Sequence, residues 1–268
     1  MPSYVVTGAS RGLGYEFIRQ LSQNSSNVVI GLVRNKIVTD ERLAKDGIKT
    51  VTIIEADVTS FAALQKAAEE TAKLTGGRLD YLINNAAFLF PETRLNTLID
   101  YENDAQGLED ELSKGFAVNV VGVSNTVTAF LPLIKESKTK KVITISTGMA
   151  DLDVVNTLGL GVGTPYSVSK GALNVLVAKY SAAYAPQGIL FLSISPGMID
   201  TYEGPPRTAE ELAAFAPLIQ AFEKHQPSFT GPITPEESVK AVLKVADGAT
   251  VEKDAGTFVS HHGNKTWL

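Results

Sequence analysis

Tyr166 and Lys170 stand four residues apart in the run Tyr166-Ser167-Val168-Ser169-Lys170. On a helix, that spacing puts a phenol and an ammonium on one face, a turn apart. A free phenol titrates near pH ~10, too high for acid–base work near neutrality. A neighbouring ammonium favours the phenolate, and a further positive charge brought by a ligand favours it more. Bringing the phenol down to about 7–8 takes roughly 3–4 kcal/mol of differential stabilisation, within reach of charges meeting in a partly dry cleft. A tyrosine four residues before a lysine is common, so the pair gains meaning only from its surroundings.

The second group with chemical potential is Gly8-Ala9-Ser10-Arg11-Gly12-Leu13-Gly14, directly after the apolar run Tyr4-Val5-Val6-Thr7. Strand, glycine turn and helix arrive in the order that a dinucleotide site needs. Gly8 takes the tight turn, Gly12 admits a pyrophosphate to the backbone, and Gly14 lets the following helix pack close. Three residues separate Gly8 from Gly12, where the commonest form has one.

These groups need a scaffold, and the rest of the chain predicts one. Strand-like apolar runs lie at residues 4–7, 28–33, 51–55, 79–84, 141–146, 189–195 and 257–260. Most are continuous rather than alternating, as expected of parallel strands covered on both faces. Helical patterns separate them. Ser60 reads as an N-cap for a helix over 61–74 with Phe61, Leu64, Ala68 and Ala72 on one side. Thr234-Pro235-Glu236-Glu237 reads as a capping box opening a helix to about Ala246. The expectation is an α/β fold: a Rossmann-type doubly wound parallel sheet, one domain over residues 1–268. Two excursions interrupt the rhythm. Residues 88–107 form a polar insertion, and residues about 201–232, with a short helix over 209–222, read as a substrate loop.

Composition narrows the function classes. The chain has 268 residues, 24 basic and 29 acidic, for a net charge of −5, with no basic run of the kind that binds nucleic acid. There is no cysteine, which removes disulfides and thiolate chemistry. His225, His261 and His262 show no ligand spacing, and the C-terminal pair is expected to be solvated, with no metal. No apolar run approaches a membrane span, and no secretory signal is evident; the expected location is cytoplasmic.

Glycine loop, Asn84-Asn85-Ala86-Ala87, Asn119, a strand ending in Ser146-Thr147, Tyr166 with Lys170, and Pro196-Gly197 follow one another in that order. This order resembles the short-chain dehydrogenase/reductase family from Tyr4 to about Thr201, with its carbonyl-reductase-like branch nearest. The resemblance implies NADP(H)- or NAD(H)-dependent oxidation and reduction between a carbonyl compound and an alcohol. It implies cofactor contacts from Gly8, Ser10, Arg11, Gly12, Leu13 and Gly14, and adenine contacts from Asp57 and Val58. Asn85 and Ala86 would support the cofactor, and Ile199 and Thr201 would hold its carboxamide. Tyr166 is the implied proton donor, Lys170 its partner on the ribose, and Asn119 the residue that holds a water for proton resupply. The family commonly has glycine at the position of Ala87. The hydroxyl that meets the substrate oxygen falls on Thr147 in the family register, with Ser146 the alternative.

Cofactor choice rests on Val33-Arg34-Asn35-Lys36, where no acid waits for the ribose hydroxyls. Arg34, with Arg11 and Lys36 nearby, can grip a 2′-phosphate, so NADP(H) is expected over NAD(H). The helix after Tyr166 is apolar nearly all round, which together with the family habit predicts a homodimer or homotetramer. Phe88, Phe90, Tyr202, Phe215, Phe222 and Phe229 are candidates for an apolar mouth. A cofactor-sensing protein with dormant chemistry, or non-redox chemistry on the same scaffold, are the other readings open at this point.

Overall fold

The structure is a computed structural model and describes residues 1–202, 204, 208–227 and 229–268. Parts of the expected substrate loop, residues 203, 205–207 and 228, lie outside the described residues. In chain order, the first half runs β1 (Ser3–Thr7), α1 (Gly12–Leu21), β2 (Val28–Val33), α2 (Lys36–Lys45), β3 (Val51–Glu55), α3 (Phe61–Thr75), β4 (Tyr81–Asn84), α4 (Ala105–Phe116) and α5 (Gly122–Lys135). The second half runs β5 (Lys141–Ile145), α6 (Leu152–Leu158), α7 (Thr164–Tyr184), β6 (Leu190–Ser195), α8 (Ala209–His225), α9 (Pro235–Gly248), α10 (Val251–Asp254) and β7 (Phe258–Ser260).

The strands form one parallel sheet in the order β3-β2-β1-β4-β5-β6-β7. The order reverses between β1 and β4, and the crevice at their carboxyl ends is where such sheets take ligands. Each strand sends alternate residues to opposite faces. Tyr4 and Val6 join the core packed with α1 and α9, while Val5 joins the core packed with α3, α5 and α7. Both faces are therefore covered, which is why the strands read as unbroken apolar runs.

Local signals set the helix starts. Asn35, Ser60, Asp104 and Asp151 accept from backbone N–H groups at the starts of α2, α3, α4 and α6. Thr234 and Glu237 form the expected capping box of α9, and Thr208 and Glu211 form another at α8. Three expectations need correcting. The buried face of α3 carries Leu64, Ala67, Ala68, Thr71 and Thr75, while Phe61 lies on the surface. The helix expected over 209–222 is α8, which has 17 residues and runs to His225. The polar insertion at residues 88–107 is itself partly helical, with a 3-10 turn at Leu98–Tyr101, and α6 (Leu152–Leu158) lies between β5 and α7.

Helix α4 continues through a π turn, Ala117–Val121, into α5, so residues Ala105–Lys135 form one helix of 31 residues. By length and composition this helix is apolar enough to cross a membrane, contrary to the expectation that no run reaches that length. Its apolar stripe, Val123, Val127, Phe130 and Ile134, is buried against α3 and the sheet. Phe116, Val121, Val168 and Val175 remain exposed on this helix and α7, the faces on which pairing between copies is expected.

Candidate active site

The glycine loop leaves β1 at the crevice. Gly8 (φ +68°) and Gly12 (φ +54°) hold left-handed conformations that favour glycine. Gly14 is required for a different reason: a Cβ there would lie 2.1 Å from the Gly8 carbonyl oxygen and 2.5 Å from Asn85 Nδ2. The start of α1 has no side-chain cap and no acid in its first turn. A helix N-terminus built this way, at the end of a turn too tight for side chains, fits a phosphate group. Ser10 and Arg11 are exposed on this turn, and Leu13 packs inward against the core.

The far side of the crevice is tied to the near side through Thr7 and Asn85. Thr7 Oγ1 accepts from the backbone N–H groups of Asn85 (3.0 Å) and Ala86 (3.0 Å), and Asn85 Nδ2 donates to the Thr7 carbonyl (3.0 Å). Asn85 therefore stitches the ends of β1 and β4 together, and Thr7 is a participant that its position at a strand end did not reveal. Ala86 sits against Gly8, with its Cα 2.8 Å from where a Gly8 Cβ would stand.

At the outer end of the crevice Arg34 is the first residue after β2 and is exposed. Burial pushes the Asp57 carboxyl up, but hydrogen bonds from Thr59 and the positive fields of Arg34 and Lys114 outweigh it and hold the pKa below its usual range. Val58 packs against Gly122 at the start of α5. Lys36 is turned away from the crevice, contrary to expectation: its Nζ donates to the Ile53 carbonyl (2.6 Å) and pairs with Asp40 (3.1 Å). Arg42 takes its place, reaching from α2 to the Ser10 carbonyl (3.4 Å) with its guanidinium 4.0 Å above the Tyr15 ring.

Tyr166 and Lys170 do share one face of α7. Lys170 is 2% exposed, and its Nζ donates to the Ile145 carbonyl at the end of β5 (2.8 Å). The ammonium stands 5.7 Å from the centre of the Tyr166 ring. Burial pushes the Tyr166 phenol up to about 12 and the Lys170 ammonium down to about 7. This corrects the expectation of a phenol lowered by its lysine: in the protein alone, loss of water sets the direction of both shifts. A positive charge bound beside the phenol is expected to lower it.

The Lys170 shift has a stability consequence. Between about pH 7 and 10.5 the unfolded chain binds a proton that the folded chain does not, so stability rises with pH across that window and the full penalty applies below it. Lys170→Met removes the penalty but also the bond to Ile145. The variant is expected to be more stable than the parent at pH 6 by about 3 kcal/mol, with the gain gone by pH 10. Urea unfolding at the two pH values measures this, and a gain independent of pH contradicts the assignment.

Asn119 sits in the π turn and is fully buried. Its Oδ1 accepts from Phe88 N (2.7 Å), and its Nδ2 donates to Phe88 O (3.0 Å) and to Ser169 Oγ (2.9 Å). Ser169 Oγ in turn donates to the Tyr166 carbonyl (2.7 Å). Both N–H groups of Asn119 are thus spent joining the segment after β4 to the helix that carries Tyr166. Ser169 is a member of this chain that the reading of Tyr166 and Lys170 passed over. The widened π turn gives the side chain this reach.

Strand β5 ends at Ile145, so Ser146 and Thr147 both lie just beyond it. Ser146 is 2% exposed, and its Oγ has no hydrogen-bond partner among the described residues. Thr147 is half-buried and caps a short 3-10 turn, accepting from Met149 N (3.3 Å). Met198 and Ile199, after β6, are held to Ile233 by a backbone bond and a parallel bridge. Thr201 lies 3.6 Å from where a Gly12 Cβ would stand, bringing this segment over the glycine loop.

Of the candidate mouth aromatics, Phe222 and Phe229 are buried against each other, Phe88 and Phe90 pack edge to face, and Phe215 lies under Arg94. Tyr202 is exposed. The C-terminal histidines are not both solvated: His261 is 7% exposed, and burial first, then the charge of His262, pushes it down to about 4. No group of metal-ligating side chains occurs among the described residues.

Comparison with known proteins bears on the family and the fold. Residues 3–212 match the family model described as short chain dehydrogenase. The chain is 45% identical over 271 residues to "Short chain dehydrogenase virK" of Hypocrea virens, covering 100% of each. It is 46% identical over 271 residues to "Short-chain dehydrogenase/reductase AacuF" of Aspergillus aculeatus, again covering 100% of each. Among solved structures, NADPH-bound carbonyl reductase from chicken fatty liver superposes with a TM-score of 0.76 at 26% identity, covering 98% of each chain. Glycine cradle, parallel sheet and sequence relatives together place this chain in the short-chain dehydrogenase/reductase family of oxidoreductases, with a likeness to its carbonyl reductases.

Proposed function

We propose that the protein is an NADPH-dependent reductase of ketones or aldehydes, working reversibly on the corresponding alcohols. The observation that carries this reading is the pair of Tyr166 and Lys170 on one turn of α7, with Lys170 anchored to the end of β5 at the sheet edge where the glycine cradle opens. Gly8, Gly12 and Gly14 would admit the pyrophosphate. Arg34 and Arg11 would meet the 2′-phosphate, Asp57 and Val58 the adenine, and Ile199 and Thr201 the carboxamide. When bound, the cofactor supplies the hydride that becomes the new C–H bond.

The chain's own residues supply the rest. With its pKa near 12, Tyr166 is fully protonated at neutral pH and is an acid ready to give its proton to the carbonyl oxygen. Thr147 presents the half-buried hydroxyl that would hold the same oxygen as it gains charge. Asn119 and Ser169 keep the Tyr166 helix in register with the segment after β4.

The preference for NADPH is supported by Arg34, exposed where an acid would otherwise select the ribose hydroxyls, and by Arg42 beside Ser10. NADPH is expected to bind at least tenfold tighter than NADH. Arg34→Ala is expected to weaken NADPH binding by roughly 1.5–3 kcal/mol while leaving NADH nearly unchanged. Fluorescence titration with the two nucleotides, followed by NADPH consumption with a panel of aldehydes and ketones, tests the reading. Equal affinities in the parent would remove the NADPH assignment, and no consumption with any carbonyl would remove the reductase assignment.

A further inference from the structure

The chain after β7 turns back toward the candidate site. Ser260 and Asn264 close a tight turn through Ser260 N to Asn264 O (2.7 Å) and Ser260 Oγ to Asn264 Oδ1 (3.1 Å). Beyond it, Trp267 is buried, 7% exposed, with its ring centre 4.4 Å from that of Phe258 at a tilt of 31°. Gln226, just past α8, donates to the main-chain oxygen of Leu268 (2.6 Å), and Lys265 pairs with Asp151, the cap of α6 (3.5 Å). Residues 264–268 are thereby strapped to two walls of the cleft.

The base of the Trp267 side chain, with the near edge of its ring, meets Gly148, the residue after Thr147. A Cβ on Gly148 would lie 3.1 Å from Trp267 Cβ and 3.3 Å from Cγ. Gly148 opens the 3-10 turn capped by Thr147 without a positive φ, so no left-handed backbone calls for glycine there, and the close approach of Trp267 is what a side chain would crowd. On its other side, Gly148 N donates to Ser195 Oγ at the end of β6 (2.9 Å). Two residues earlier, Ser146 N donates to Ile194 O (2.8 Å). Thr147 is thus held between two anchors on β6, and Trp267 closes the third side of the same peptide.

We propose that Trp267 is a positioning residue for the Thr147 hydroxyl: the C-terminal strap, seated on Gly148, fixes the direction in which that hydroxyl points. This rests on the reading of Thr147 as the group that meets the substrate oxygen. A hydroxyl acting on a developing charge has to be held within a few tenths of an ångström, and displacement by about 1 Å lowers rate on the order of 10²-fold. The strap reaches the site from residues distant in sequence, and the contacts that seat it lie on Gly148, Phe258, Gln226 and Asp151 and not on the glycine cradle, so its loss is expected to spare nucleotide binding.

The test uses Trp267→Phe, Trp267→Ala, Gly148→Ala and Thr147→Val, with NADPH and 4-nitrobenzaldehyde as the probe pair. Trp267→Ala and Gly148→Ala are expected to lower kcat about 10–10²-fold, with KM and the NADPH dissociation constant within about threefold of the parent. Trp267→Phe, which keeps an aromatic ring against Gly148, is expected to restore most of the rate. Trp267 is the sole tryptophan, so its emission reads the seat directly: Gly148→Ala is expected to shift it to the red. The decisive measurement is coupling. Thr147→Val is expected to lose most of its effect in a Trp267→Ala background, because the hydroxyl is already misdirected there. Equal, additive losses in both backgrounds would overturn the proposal even if the parent is active. A parent that turns over neither this aldehyde nor any other aldehyde or ketone of the panel would instead overturn the reductase reading beneath it.

Discussion

Turnover is expected to fall by about 10²–10⁴ when Tyr166 is replaced by phenylalanine, with NADPH affinity within a few-fold of the parent. The substitution keeps the ring and deletes only the acidic O–H. Burial holds that phenol near pKa 12 in the protein alone, so it is protonated throughout the neutral range and available as a donor. Loss of the donor proton is therefore not expected to limit reduction between pH 6 and 9, and a change of rate near pH 7 is expected to report Lys170, which titrates there. Steady-state NADPH oxidation with an active carbonyl substrate measures both statements. Undiminished turnover of the phenylalanine variant would mean that another group delivers the proton.

The second large effect is expected at Thr147. Thr147→Val keeps the branched shape, removes the hydroxyl, and is expected to lower turnover by roughly 10–10³, the scale of losing one contact to a developing oxyanion. Thr147→Ser is expected to be nearly neutral. Ser146→Ala is expected to matter less, because its Oγ is buried with no partner among the described residues, so no existing bond is lost. Should Ser146→Ala abolish turnover while Thr147→Val is tolerated, the roles are reversed and Ser146 is the reacting hydroxyl.

What could be read from the residues alone was whatever depends on neighbours in the chain. Most of the seven strands are continuous apolar runs because a parallel strand must satisfy two covered faces, and that demand is written residue by residue. Gly8 and Gly12 are legible because a left-handed turn excludes most side chains, and the Thr234 capping box because its partners are three residues apart. The i, i+4 relation of Tyr166 and Lys170 is helix geometry and needed no tertiary knowledge.

Other features were decided only when distant segments packed. Lys36 reads by position as a neighbour of Arg34 at the 2′-phosphate site, yet the Ile53 carbonyl and Asp40 claim it once β2 and β3 pair. Asn119 meets Phe88 and Ser169, and Lys170 meets Ile145, across separations that no periodicity encodes. Proton affinities belong to this class as well. The spacing of Tyr166 and Lys170 suggests mutual attraction, but burial, a property of the whole fold, sets both groups in the opposite direction. His261 and Trp267 show the same limit: in sequence they belong to a polar C-terminal stretch, and only the return of that stretch over Gly197 and Gly148 buries them beside the candidate site. Sequence thus determined the elements and the residues they carry, because helices, strands and turns are local. Tertiary packing decided which of those residues lose water and which partners they meet, because desolvation and long-range contact depend on the complete fold.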